Sequence, residues 1–192
     1  MYLEKSVKYY TIMQKIKNLN FLLSLFIVIA TLLNSNAQRA YIPPIVGSNN
    51  VTYVTTSSYL PPSYGLTYAP KNINDNSLFT WWSPIASDRE TCWIKVNFDS
   101  ERSIDNIKIH GGAHYPNFSN LGNLYYLNLR LKSAYLTFSN GTTAVIDLED
   151  IDQIQTIYFQ KIYTSYVIIR PMRYYPSYKW NDPCISYIKF GN

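Results

Sequence analysis

Three clusters of residues in this chain have types and spacings that could do chemistry. The first is His110-Gly111-Gly112-Ala113-His114. Two histidines four apart bind a metal when one helix face carries both. Here two glycines interrupt them, the residues before read as a strand, and no third ligand is near in sequence, so zinc is not expected. His110 and His114 read either as rim-loop rings that hydrogen-bond a ligand hydroxyl or as parts of an ordinary turn. The second cluster is RYYPSYKWNDP, residues 173–183, with four aromatics, two cations and Asp182. Aromatic faces beside Asn, Asp and Lys suit sugars, which offer apolar C–H faces ringed by hydroxyls. The third is the Asn72 to Asp75 turn that runs into Trp81-Trp82.

Catalytic patterns find little support. There is no Gly-x-Ser-x-Gly elbow, no cysteine with a plausible histidine partner and no glycine-rich phosphate loop between a strand and a helix. Asp147, Glu149, Asp150 and Asp152 are close enough in sequence to mimic a carboxylate pair. They follow a strand and read as a solvated turn before Gln155. An enzyme is not expected.

The elements that must position these clusters are strands. Ile94, Val96 and Phe98 alternate with Lys95 and Asn97, the period of a half-buried strand. Ile107 and Ile109 flank Lys108. Leu136 and Phe138 lead into Asn140-Gly141, the strongest short hairpin signal, and Ala144, Ile146 and Leu148 alternate beyond it. YVIIR (166–170) and CISYIKF (184–190) follow. Roughly eight short strands separated by Pro, Gly, Asn and Asp predict an all-β fold, an antiparallel β-sandwich or jelly roll. Neighbouring residues on a strand point to opposite faces, so one tryptophan of the pair could enter the core while the other faces water or a ligand; the alternative is that both pack in the core. One parity conflict stands out. Asn128, Arg130 and Lys132 share strand parity with Ala134, Leu136 and Phe138, which would put two cations in the core. Either a bulge near Ser133 flips the face, or Arg130 sits at the rim against a carboxylate or a ligand.

Length and charge bound the rest. The chain has 192 residues, enough for one domain and a leader. From Met13, two lysines precede an uncharged apolar run to about Leu33, followed by Ser35-Asn36-Ala37. That is a secretory signal layout, and we expect residues 1–37 to be a cleaved signal peptide, 38–50 a tether and 51–192 the domain. An uncleaved anchor is the alternative. No later stretch is apolar for long enough to span a membrane. Lys5, Lys8, Lys15, Lys17 and Glu4 fall in the leader, leaving 13 Lys/Arg against 11 Asp/Glu. The formal charge of +5 therefore argues poorly for nucleic acid. Cys92 and Cys184 are the two cysteines. In an oxidising compartment they are compatible with one disulfide, which we expect, or with two buried thiols.

YAPKNINDNSLFTWW, WIKVNF, IDNIKIHGG, LNLRLKSAYLTFSNGT, IDLEDIDQIQTIYF and YKWNDPCISYIKF occur in that order. Together they resemble the discoidin-like superfamily, the coagulation-factor five/eight type C and galactose-binding-like jelly rolls. Within it the chain most resembles the NAD glycohydrolase translocation domain subfamily, over about Thr52 to Phe190. The resemblance implies a galactose-binding-like sandwich that binds without catalysis, often to carbohydrate, through loops at one end. It does not imply NAD hydrolysis. Many relatives hold a structural calcium ion on an Asn-x-x-Asp turn and a distant glutamate. Asn72 and Asp75 match the turn, but Tyr187 stands where the glutamate would be, which weakens the case for calcium. By the family's Thr-x-Trp pattern Trp82 is structural and Trp81 is free for stacking.

The resulting expectation is a secreted or cell-surface binding module without a resident cofactor. Its ligand is a glycan or another cell-surface ligand; the alternative is a protein-interaction or translocation module. The candidate ligand-binding residues are Trp81, His110, His114, Asn128, Arg130, Tyr175, Lys179, Trp180 and Asp182. Asp182 also matches the family's aspartate before Ile-Ser, and is expected to pair with Arg130 or to cap its own loop.

Overall fold

The computed structural model describes residues 53–192. The expected signal peptide, the tether and the first two residues of the expected domain lie outside the described residues. Seven strands form one sheet that folds over on itself: β1 (Tyr53–Thr56), β2 (Ile94–His110), β3 (Leu129–Phe138), β4 (Thr143–Asp147), β5 (Gln155–Tyr175), β6 (Pro183–Cys184) and β7 (Tyr187–Gly191). The path runs β1-β2-β5-β3-β4, with β7 added on β2 and β6 on β3. Every pairing is antiparallel except β3 with β6, which is parallel.

The two long strands make the sandwich. The first half of β2 pairs with β1 and with Tyr166 to Ile169 of β5. The second half pairs with β7 and with Gln155 to Tyr158 of the same β5. Register shifts between Asn97 and Arg102, and between Ile104 and Asn106, mark where β2 bends from one layer to the other. The alternation read from the sequence fills the space between the layers. Ile94, Val96, Ile107, Ile109, Leu136, Phe138, Val167 and Ile169 are all buried in one apolar cluster. The hairpin forms as expected: Gly141 takes φ 84°, and the Asn140 carboxamide accepts from Thr142 N at 3.0 Å.

Trp82 lies in that core with no exposed surface, and its indole Nε1 donates to Ser58 O at 2.9 Å. Burying a ring of this size stabilises by about 4–6 kcal/mol as an upper bound. Trp81 belongs to a second, smaller cluster with Ala113, Leu124 and Cys184. Both rings are therefore buried, Trp81 at 5% exposed rather than free as the family pattern implies, and the pair is divided between two cores.

The parity conflict in β3 resolves through both devices. The ladder to β5 shifts register between Leu131 and Ser133 and again at Ala134. Leu131 thus faces the same core as Ala134, Leu136 and Phe138 despite its odd spacing. Arg130 falls on the other side and meets a carboxylate there.

The expected disulfide is not formed; both cysteines are free and buried. They belong to different clusters. Cys92 packs in the main core, where its thiol donates to Arg89 O at 3.4 Å and lies 3.6 Å from the Tyr174 hydroxyl. Cys184 packs in the second cluster and donates to Asp182 O at 3.4 Å. Burial pushes both thiols above their ordinary pKa, which disfavours the thiolate that exchange chemistry needs.

Candidate functional site

The second cluster sits where three connecting segments meet: residues 59–68 after β1, the segment that carries the short helix α1 (Leu124–Leu127), and the loop before β6. Asn123 caps α1 by accepting from Tyr125 N at 2.9 Å. At the other end, Asn128 closes it: its backbone N–H and its side-chain Nδ2 both donate to Leu124 O. Beside this helix lies a cavity of about 530 Å³. Trp81, Tyr68 and Trp180 supply aromatic rings to its wall, Leu66 and Leu124 apolar surface, and Asn128 and Asp182 polar groups. Tyr68 meets Trp81 edge-on at 5.9 Å between ring centroids, which holds the indole in place. Burial pushes the Asp182 carboxyl above the usual carboxylate range.

The cavity brings together four of the residues singled out in the sequence: Trp81, Asn128, Trp180 and Asp182. Lys179 lies beside it, its Nζ over the Trp180 ring at 4.8 Å. The other candidates lie elsewhere. Arg130 is 2% exposed. Its Nε and Nη2 form a fork onto Asp150 at 2.9 and 2.7 Å, and its Nη1 donates to the carbonyls of Tyr126, Asn128 and Pro176. This arginine is committed to the protein, and its partner is Asp150, not Asp182. Tyr175 donates its hydroxyl to Leu148 O at 2.9 Å, with Lys132 over its ring.

His110 and His114 converge on Asp152, a residue the sequence reading had placed in a solvated turn. His110 Nε2 lies 3.0 Å and His114 Nδ1 2.9 Å from the same oxygen, Oδ1. Asn123 Nδ2 donates to the other, Oδ2, at 2.9 Å. Burial lowers the His110 pKa and outweighs the opposing pull of Asp152. At Asp152 burial pushes upward, but the hydrogen bonds from His114, Asn123 and His110 prevail and hold the carboxyl below its ordinary value. Of the four acids near the end of β4, two therefore hold the loops together: Asp150 through Arg130 and Asp152 through the histidines.

The Asn72–Asp75 turn is closed by its own hydrogen bonds. Asn72 aims its Nδ2, a donor, at Thr67 O and Trp81 O. The two carboxylate oxygens of Asp75 accept from Ser77 N and the Thr80 hydroxyl. Around these two residues the turn is tied by side-chain hydrogen bonds. The turn positions Trp81 directly, through the bond to its carbonyl.

Two parts of the site escaped the sequence reading. YLPPSYGLTY (59–68) supplies Leu60, Tyr64, Leu66 and Tyr68 to the cavity wall; its density of Tyr and Pro was the available signal. Asp152 carried none, because its histidine partners are 42 and 38 residues away.

The folded-over, mainly antiparallel sheet is a discoidin-like β-sandwich. The sequence matches the NAD glycohydrolase translocation F5/8 type C domain over residues 46–191. The chain belongs to that family. No curated protein matches the sequence. Similar solved structures include a pectin-binding carbohydrate-binding module, 18% identical, covering 74% of this chain and 91% of that one at a TM-score of 0.53. A CBM32 of AlyQ in complex with 4,5-unsaturated mannuronic acid is 13% identical, with 75% and 98% covered and a TM-score of 0.51. CpGH89CBM32-5 from Clostridium perfringens, in complex with GalNAc-β-1,3-galactose, is 14% identical, with 72% and 93% covered and a TM-score of 0.52. At such identities the likeness speaks to the fold.

Proposed function

We propose that this chain is an exported, non-catalytic module that binds carbohydrate in the cavity walled by Trp81, Tyr68 and Trp180. The observation that carries the reading is the cavity's composition. Aromatic rings form much of its wall, and the polar residues Ser63, Ser83, Asn128 and Asp182 also line it. Small-molecule sites typically measure about 300–1,000 Å³ and combine apolar walls with a few placed polar groups. A sugar ring lays its C–H face on an indole and directs its hydroxyls to such groups. A flat apolar face would suit a protein better. The modules of like fold that are described with pectin, mannuronic acid or GalNAc-galactose lend the reading support.

The N-terminal apolar run and the family's extracellular type of module support export. Among the described residues no helix is long and apolar enough to cross a membrane. The family's description as a translocation domain favours a second reading, a translocation role for the module.

A glycan array together with calorimetry on soluble polysaccharides tests the proposal. We expect binding to at least one glycan class, weakened by Trp81→Ala and by Trp180→Ala. No binding to any array glycan or polysaccharide by a folded chain would overturn it.

A further inference from the structure

His110, His114 and Asp152 come from three places in the chain: the end of β2, the loop that follows it, and the turn between β4 and β5. Their ligating atoms nevertheless all lie within 4.8 Å of one another. Two imidazole nitrogens and one carboxylate oxygen supply three of the four ligands of a tetrahedral zinc sphere. In a tetrahedral zinc site with bonds of about 2.0–2.1 Å, ligand atoms stand about 3.3 Å apart. The two histidine–aspartate separations of 3.0 and 2.9 Å need to open by a few tenths of an ångström, while the two imidazole nitrogens, within 4.8 Å of each other, close toward the same spacing.

Two of the three ligands, His110 and Asp152, also have the outer hydrogen-bond partner that metal ligands use. The inner nitrogen of His110, Nδ1, lies 3.1 Å from Gly112 O and 2.7 Å from Ser186 Oγ. When a metal binds, donation from Nδ1 to that carbonyl would leave the lone pair of Nε2 for the ion, in place of its hydrogen bond to Asp152. A backbone carbonyl or carboxylate behind the ring is what fixes ligating histidines. Asn123 holds Oδ2 of Asp152 and leaves Oδ1 to the histidines. The His114 ring is braced edge-on by Phe79 at 5.4 Å. Access is graded: side-chain exposure is 0% at His110, 14% at Asp152 and 23% at His114. A cation would enter from the His114 side and keep a water as its fourth ligand.

We propose that His110, His114 and Asp152 form a binding site for a divalent transition metal, Zn²⁺ in particular. Two imidazoles and one carboxylate suit zinc and its neighbours, whereas calcium takes oxygen ligands. The ion would staple the β4–β5 turn to the loop after β2, next to the helix that borders the cavity. The site is separate from the sugar-binding reading and does not depend on it.

The test uses the full chain, freed of any polyhistidine tag and stripped with chelator. Zn²⁺ is titrated in by calorimetry, and Co²⁺ serves as a spectroscopic reporter. We expect one ion per chain, visible Co²⁺ bands of imidazole ligation, and a melting temperature that rises with Zn²⁺. His114 is the most exposed of the three at 23%, so His114→Gln should keep the fold, which circular dichroism checks. It should weaken Zn²⁺ binding by roughly a hundredfold and bleach the Co²⁺ bands, and Asn123→Ala should cost roughly tenfold. Zn²⁺ binding of equal strength in wild type and His114→Gln would overturn the proposal. So would a wild-type chain that takes up no metal; the three residues would then form a hydrogen-bonded clasp alone.

Discussion

Trp81 and Trp82 are adjacent in the chain and lie in different cores. Trp82 fills the sandwich and is tied to Ser58 O, while Trp81 packs against Tyr68 and borders the cavity. Their substitutions should separate accordingly. Trp82→Ala should cost about 3–5 kcal/mol of stability, read by denaturant unfolding. Trp81→Phe, which keeps an aromatic ring in the second cluster, should leave a cooperative fold and reduce glycan affinity several-fold. Equal loss of stability in both variants with unchanged affinity would remove Trp81 from the site.

Two arginine–aspartate pairs offer a contrast in burial. Arg130 with Asp150 is shielded on the arginine side, whereas Arg173 with Asp147 has exposures of 60% and 66%. Removing one partner of a buried pair leaves the other group uncompensated, at about 3–5 kcal/mol. Arg130→Ala should approach that loss. Asp147→Ala should cost less than about 1 kcal/mol. Urea denaturation of the two variants makes the comparison.

Gly112 allows the loop after β2 to pass under Tyr125. A Cβ there would collide with the Tyr125 ring and come within 3.2 Å of Arg130 Cγ. Gly112→Ala should therefore lower the melting temperature by several degrees. Gly65→Ala probes a glycine with an open surrounding and φ 75°; there backbone strain alone should give a smaller loss.

Asp182 predicts a pH dependence. Its folded pKa is raised by burial, so the folded chain holds this proton more tightly than the unfolded one. Stability is unaffected below the ordinary carboxylate pKa and falls as pH rises through the raised value. Asp182→Asn should thus stabilise the ligand-free protein at neutral pH, with the gain vanishing in acid. Melting temperatures of wild type and variant across the acid-to-neutral range measure it. A gain that persists at low pH would contradict the assignment.

The two cysteines should behave as independent buried thiols. Alkylation and mass measurement under denaturing, non-reducing conditions should label both in every chain. Reductant should not shift the melting temperature. A mass that resists alkylation would restore the bridge.

The sequence by itself determined the strands, because alternation along a strand is a local property of the side chains. The Ile94–Phe98 and Leu136–Phe138 patterns, the Asn140-Gly141 hairpin and the ordered family motifs were all legible. Strand parity also exposed the conflict at Arg130 and Lys132, but left open whether a bulge or a rim position resolved it, and it did not foresee that Trp81 would be buried in a second cluster. What the tertiary structure decided was partnership. Arg130 needed a carboxylate, but only the path of the loops chose Asp150 over Asp182. Spacing left both a disulfide and free thiols open for Cys92 and Cys184; packing into separate clusters chose the thiols. His110 and His114 seemed to lack a third ligand until the β4–β5 turn delivered Asp152 from 42 residues beyond His110. The reason is physical. Burial and periodicity act residue by residue, whereas hydrogen bonds and ion pairs need two groups within about 3 Å, and only the folded chain fixes which distant groups meet.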